Sequence, residues 1–288
     1  MKRIAIYSFS GTGITDLVTR DIVEGLRERG CSVEAYSIPE ILAGTARFPS
    51  IDPDMVGIGC PVIGFGTPRI VKRFLKGLPR GKGAPAFIFR TAGGAAPINF
   101  RASVPMARAL HRRGYSVFHE RIFAIASNWQ RPHDPPVVYR LLQATRAKVE
   151  RFCDELVMEL PRKLELPLGT RLSLDLLRGF SALGLRWISL DLSVSSACSH
   201  CGLCERGCPM RNIETRKGRV RIGTDCTLCL RCVYACPNKA IAFKRLKFLP
   251  VPGGFSLQRT LEEAEKRKSE QPGRVPPFLQ RYESEIEA

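Results

Sequence analysis

Short apolar runs alternate with amphipathic stretches over the first 160 positions of the chain. Ile4-Ala5-Ile6-Tyr7 has the length and continuity of a buried strand. After it, Leu17, Val18, Ile22 and Leu26 fall at helical spacing until Gly30 ends the pattern. Further strand patterns lie at 32–38, 55–62, 84–91 and 116–126, and helical ones at 68–78, 98–113 and 136–160. Five strands alternating with helices predict an α/β fold with a doubly wound parallel five-stranded sheet covered on both faces. Ligands of such sheets bind beyond the carboxyl ends of the strands.

The pattern changes after position 160. Residues 161–195 read as a linker or connecting helix, punctuated by Pro161, Pro167, Gly169 and Gly179. Its apolar positions (Leu172, Leu174, Leu176, Leu177, Phe180, Leu183, Leu185, Trp187) suit a helix packed on both flanking domains. They also suit a surface for a partner or a membrane. Residues 196–247 form a small cysteine-rich α+β domain, with strand patterns at 218–222 and 240–243. Within the C-terminal tail, 248–288, positions 257–270 read as a polar helix, and the segment from Pro272 onward as a docking arm or loose end.

Composition adds limits. With 44% hydrophobic and 25% charged residues in 288, the chain has the make-up of a folded globular protein. No apolar run reaches the roughly 18–20 residues needed to cross a bilayer; the stretch 172–194 is interrupted by Asp175, Arg178, Arg186 and Asp191. Met1-Lys2-Arg3 leads into a short strand and a glycine loop, a pattern unlike a secretory signal, which implies a cytoplasmic protein. The formal charge of +18 implies an acidic partner without naming its kind.

The cysteines supply the chemistry. Eight of 11 fall in two runs of the same spacing, C-x2-C-x2-C-x3-C-P: Cys198, Cys201, Cys204, Cys208, then Cys226, Cys229, Cys232, Cys236. That is the spacing of bacterial two-cluster ferredoxins, where the fourth cysteine of each run ligates the other cluster. The expected sets are therefore Cys198, Cys201, Cys204 and Cys236 on one [4Fe–4S] cluster, and Cys226, Cys229, Cys232 and Cys208 on the other. Disulfides fit a cytoplasmic chain poorly. Structural zinc favours paired C-x2-C knuckles over triplets followed by C-P. Cys31, Cys60 and Cys153 read as buried thiols, Cys60 lying beside a loop discussed below. The four histidines show no ligand spacing, although His200 sits inside the first cysteine run.

The first βα junction carries Ser8-Phe9-Ser10-Gly11-Thr12-Gly13-Ile14-Thr15. Its hydroxyls, glycine backbone and the start of the following helix suit an oxyanion. It is neither a Walker loop nor G-x-G-x-x-G. It resembles the phosphate loop of flavodoxins, [ST]-x-[ST]-G-x-[TG]-x-T, throughout. The resemblance covers about residues 1–160 and implies a flavodoxin-like fold with an FMN phosphate on this loop. It implies also that Pro61-Val62-Ile63-Gly64-Phe65-Gly66-Thr67 and Thr91-Ala92-Gly93-Gly94 flank the isoalloxazine ring. Flavodoxins commonly stack an aromatic on the ring. Here Ile63 occupies a place where Tyr or Trp is usual, leaving Phe65 and Trp129 as aromatics near the site or as core anchors.

Together the two parts resemble flavodoxin–ferredoxin fusion proteins. The function implied is electron transfer between two [4Fe–4S] clusters and FMN, linking one-electron and two-electron partners. The alternative is a flavin-dependent reductase acting on a small substrate or quinone, with the clusters as its electron feed. No acid, base and nucleophile constellation is visible, so no catalytic side chain is assigned. Residues 196–247 hold 11 basic and 3 acidic side chains. Each oxidised cubane with its four thiolates carries about −2 and an FMN phosphate about −2, so much of this basicity answers the chain's own cofactors. The remainder suits an acidic redox protein such as a small ferredoxin, or an oxidoreductase complex. It gives no reason to expect nucleic acid, and leaves peripheral membrane contact open.

Overall fold

Five parallel strands, β1 (Arg3–Ser8), β2 (Ser32–Ser37), β3 (Met55–Pro61), β4 (Pro85–Ala92) and β5 (Ser116–Ala124), form one sheet in the order β2-β1-β3-β4-β5. That order is the flavodoxin-like doubly wound arrangement, with its switch point between β1 and β3. The computed structural model describes residues 1–94, 96–130, 132–164, 169–170, 173–174, 184–271, 275 and 277–284.

Helices α1 (Ile14–Glu28) and α5 (Pro135–Val157) cover one face of the sheet, and α3 (Arg69–Gly77) and α4 (Val104–Arg112) the other. Strands β1, β3 and β4 are buried nearly end to end, as expected of strands covered on both faces. Phe87 and Phe89 on β4 lie over Gly57 and Gly59 on β3; a Cβ on either glycine would stand 2.3 or 2.1 Å from the facing ring. Backbone of β3 and aromatic rings of β4 thereby share one layer.

Three local features differ from the sequence expectations. The segment expected as one helix, 98–113, is a 3-10 turn (Pro97–Ser103) followed by α4, and Pro105 lies in the first turn of α4, where its missing N–H needs no intrahelical partner. A short helix, α2 (Ile38–Ala43), starts on the last position of the strand expected at 32–38 and runs into a stretch with no expected element. Its signals are in the sequence: Ser37-Ile38-Pro39-Glu40 has capping-box spacing, and Gly44 closes the helix at φ 76°. Third, strand β6 (Leu192–Val194) pairs antiparallel with β9 (Ile241–Phe243), a partner not visible in the sequence.

The cysteine-rich segment also contains the antiparallel hairpin β7 (Ile213–Arg216) and β8 (Arg219–Ile222). It lies against the α3 face of the sheet, where Leu228, Leu230, Ile241 and Phe243 join the core formed by β1, β3 and α3. Asp225 pairs with Arg69 at 2.7 Å, Thr227 Oγ1 accepts from the Arg69 amide at 3.1 Å, and Arg211 donates to the Ala43 carbonyl at 3.2 Å.

The C-terminal residues return to the opposite face. The helix Leu257–Lys266, capped by Ser256, buries Ala264 among residues of α1, α5 and the sheet. The helix Pro277–Ser284 buries Leu279 and Tyr282 against α5, with Tyr282 Oη and Thr145 Oγ1 2.8 Å apart. Of the expected connecting helix, residues 184–190 are helical. Its positions Pro167, Leu172, Leu176, Leu177, Gly179, Phe180 and Leu183 lie outside the described residues. Among the described residues no helix is long and apolar enough to cross a membrane.

Candidate redox site

Two cavities in the cysteine-rich segment each gather four thiols. The inner one is lined by Cys208, Cys226, Cys229 and Cys232. The outer one is lined by Cys198, Cys201, Cys204 and Cys236. Each cavity thus brings together three cysteines of one run and the last of the other. Among the described residues no three His, Cys, Asp or Glu side chains stand at single-ion spacing.

The backbone repeats between the runs. His200 and Leu228, Gly202 and Leu230, and Arg211 and Lys239 occupy matching positions relative to their cysteines, and all six have positive φ between 49° and 73°. Left-handed residues set between residues of ordinary φ turn successive amide N–H groups inward. Amides that reach sulfur include Asn212 to Cys208 Sγ at 3.3 Å, Leu228 to Cys226 Sγ at 3.3 Å, and Ala240 to Cys236 Sγ at 3.2 Å. Such bonds favour thiolate. Burial opposes it, pushing Cys226 up to about 11 and raising Cys232 as well. Metal binding to such sulfurs takes the thiolate form and releases protons. Four sulfurs around a cavity, with amides aimed at sulfur, fit an iron–sulfur cluster.

A third, larger space opens at the carboxyl ends of the strands. The crevice holds about 1200 Å³ of empty volume open to solvent. Its walls include Ser10, Gly11, Thr12, Ile14 and Thr15 after β1, Pro61, Val62, Ile63, Gly64 and Phe65 at and beyond the end of β3, and Thr91, Ala92 and Gly93 at and beyond the end of β4. Of the expected flavin-loop residues, Ser8, Phe9, Gly13, Gly66, Thr67 and Gly94 do not line it. Ser8 is buried at the end of β1; Gly13 caps α1 at φ 98° under Leu257; and the Gly94 carbonyl accepts from Asn99 Nδ2 at 2.9 Å. The loops brace one another. Ser10 Oγ accepts from the Gly13 amide at 3.0 Å, and the Thr15 and Thr91 hydroxyls meet at 2.7 Å. Gly64 and Phe65 both take positive φ, closing a tight Ile63–Gly66 turn that leaves Phe65 39% exposed at the crevice.

Residues beyond those expected complete the walls: Asn99, Ala126, Ser127, Asn128, Gln130, Leu185, Ile188, Leu249 and Cys229, together with Trp129. Leu185 fits so closely over Gly64 that a Cβ there would lie 2.5 Å from its methyl. Cys229 lines the inner cavity and the crevice alike, and Gly11 packs on it; a Cβ at Gly11 would stand 2.7 Å from the Cys229 carbonyl oxygen. No local sequence signal announces that contact, which joins residues 218 positions apart. Loop amides and hydroxyls at the start of α1, beside an open crevice flanked by two aromatics, fit a phosphate-bearing flavin.

Cys60 is fully enclosed beside Met106 and Arg90, and burial pushes its thiol up to about 12, so it does not face the crevice as a reactive group. Cys31 and Cys153 are buried likewise. His200 is exposed on the outer cysteine loop.

No curated protein sequence matches the chain. Among solved structures, it is similar to a short-chain flavodoxin associated with a non-canonical PDU bacterial microcompartment, at 14% identity over 55% of this chain and 99% of that one, with a TM-score of 0.40. It is similar also to the Streptococcus pneumonia TIGR4 flavodoxin, at 13% identity over 56% and 100%, TM-score 0.38. Flavodoxin 1 of Bacillus cereus gives 18% identity over 56% and 99%, TM-score 0.37. Residues 191–237 match the family model of the 4Fe-4S dicluster domain, and that segment, joined in one chain to a flavodoxin-like sheet, supports a role in electron transfer.

Proposed function

We propose that the chain relays electrons between two [4Fe–4S] clusters and an FMN, linking one-electron and two-electron redox partners in the cytoplasm. The observation that carries this reading is Cys229, a wall of both the inner cysteine cavity and the crevice. When bound, the clusters supply one-electron transfer and the flavin gives or accepts one or two electrons.

The chain's own part is position and shielding. Cys208, Cys226, Cys229 and Cys232 hold the inner cluster, and Cys198, Cys201, Cys204 and Cys236 the outer one. Met210, Ile213, Leu228 and Leu230 are buried around the inner cavity and keep water from it. Loop residues 10–15 take the flavin phosphate, while Phe65 and Trp129 flank its ring. The outer site differs from the inner: Cys201 is exposed, and exposed Arg206, Lys217, Arg219 and Lys239 lie in the same segment. An acidic one-electron carrier of the ferredoxin kind, or an acidic face of an oxidoreductase complex, suits that surface.

A second reading, a flavin-dependent reductase of a small substrate or quinone, draws on the apolar wall of Leu185, Ile188 and Leu249 in the open crevice. Turnover by the isolated protein with an artificial reductant separates the two: the relay reading expects activity only with a redox partner present. Anaerobic purification tests the cofactors of both, with about eight iron per chain from two cubanes expected, together with releasable FMN. A colourless protein containing zinc contradicts the proposal.

A further inference from the structure

Arg231 sits between Cys229 and Cys232, yet its guanidinium leaves the cysteine segment for the first loop of the sheet. Nη2 donates to the Ser10 carbonyl at 2.6 Å, and Nε to the Gly11 carbonyl at 3.1 Å. Nη1 donates to the carbonyl of Gly207, the neighbour of Cys208, at 3.4 Å. In a trans peptide the C=O and the following N–H point in opposite directions. Holding the Ser10 and Gly11 carbonyls therefore turns the Gly11 and Thr12 amides away from Arg231. Ser10, Gly11 and Thr12 line the crevice, and among the described residues neither of those amides meets a protein acceptor. Asp16, at the start of α1, lies in the field of the same guanidinium.

Tyr234, on the same short helix (Arg231–Ala235), makes a second link. Its hydroxyl donates to the Asn128 carbonyl at 2.6 Å and accepts from the Val251 amide at 2.9 Å. Asn128 Nδ2 donates in turn to Thr12 Oγ1 at 2.9 Å. The helix that carries Cys232 thus grips the loop from two sides, while Gly11 rests directly on Cys229.

We propose that FMN binding and assembly of the inner cluster form one coupled event, with Arg231 as the positioning residue between them. This rests on the relay reading above. A cluster on Cys229 and Cys232 fixes the segment between them; that segment fixes Arg231; and Arg231 presents the Gly11 and Thr12 amides to the flavin phosphate. By linkage the coupling runs both ways, so bound FMN protects the inner cluster, and loss of that cluster releases FMN.

FMN and riboflavin titrations, read by quenching of flavin fluorescence under anaerobic conditions, test this on the iron-loaded and iron-stripped chain. The expectation is FMN binding about tenfold or more tighter when iron is present, a typical coupling between sites. Riboflavin, which lacks the phosphate, is expected to change by no more than about twofold, being outside the coupled contact. An iron-loaded Arg231→Met variant loses the FMN preference and keeps riboflavin binding, and Arg231→Lys restores part of it. Tyr234→Phe, which alters no charge, gives a severalfold weakening toward FMN and serves if Arg231→Met fails to take up iron. Equal FMN affinity with and without iron overturns the coupling and leaves the relay reading standing. So does an equal loss for FMN and riboflavin in Arg231→Met, the mark of a merely structural role. Absence of flavin binding in every form overturns the relay reading and the coupling with it.

Discussion

Gly11 shows how little space separates the two candidate cofactor sites. A Cβ there meets backbone of Cys229, which cannot swing aside as a flexible side chain would. Gly11→Ala is expected to cost about 1–3 kcal/mol, the range for forcing atoms into a packed contact, and to lower FMN content. Gly77→Ala is the control: nothing lies within 4 Å of its Cβ position, and it ends a helix, where alanine is favoured. Thermal melts and flavin content of the two variants give the comparison; equal effects contradict the contact. The cysteines allow a similar test of pairing. Cys208→Ala belongs by sequence to the first run but lines the inner cavity, so its residual EPR spectrum should match that of Cys226→Ala and differ from that of Cys198→Ala. Each variant should keep about four iron, those of one intact cubane.

Between β5 and α5 a buried charge cluster makes the fold sensitive to acid. His119 is fully buried, with Nε2 2.6 Å from Glu155 Oε2 and no partner for Nδ1. Glu155 is shared with Arg121 at 3.2 Å and Arg162 at 3.5 Å. Burial pushes His119 down to about 4, against the pull of Glu155, so the folded state holds it neutral where the unfolded chain, at its ordinary 6.5, takes a proton. Between those values the unfolded state binds more protons, and stability rises with pH. The contribution is complete above about pH 6.5. It is lost as pH falls toward about 4. Denaturant midpoints at pH 7 and 5 should therefore differ, and His119→Gln should shrink the difference; an unchanged pH dependence in the variant contradicts the assignment.

The same elements show what the sequence made legible. Continuous apolar runs marked β1, β3 and β4, because strands buried on both faces need little context to be recognised, whereas the edge strands β2 and β5 carry polar and charged residues. The crossed grouping of the cysteines around the two cavities is the one that the ferredoxin spacing leads one to expect. What escaped depended on neighbours distant in the chain: β6 exists only as the partner of β9, and the polar reading of 257–270 gave no sign that Ala264 would be buried beside α1 and α5. Ala264→Asp, which places an unpaired charge in that core, should cost on the order of 3 kcal/mol. A surface helix would tolerate it, and an unchanged melting temperature would contradict the packing. Helix α2 is a different case: Ser37, Glu40 and Gly44 stand at start and stop positions in the sequence, although the Ser37 side chain makes no cap hydrogen bond.

Charge ties the chain to what lies outside it. The formal +18 is concentrated partly in the cluster segment, and part of it is answered by anionic cofactors under the proposed function. The surplus predicts that electron transfer with an acidic ferredoxin slows steeply as ionic strength rises from 0.05 to about 0.5 M, as steered association does. A salt-independent rate contradicts an electrostatic docking face.

Within one chain, the inner cavity and the crevice share Cys229. Laser-flash reduction of the clusters, followed by the bleaching of bound FMN, measures whether that shared wall is a route. The relay reading predicts bleaching by a first-order process whose rate is independent of protein concentration, because donor and acceptor sit in the same molecule. A rate that scales with protein concentration, or clusters that stay reduced while the flavin remains oxidised, contradicts it.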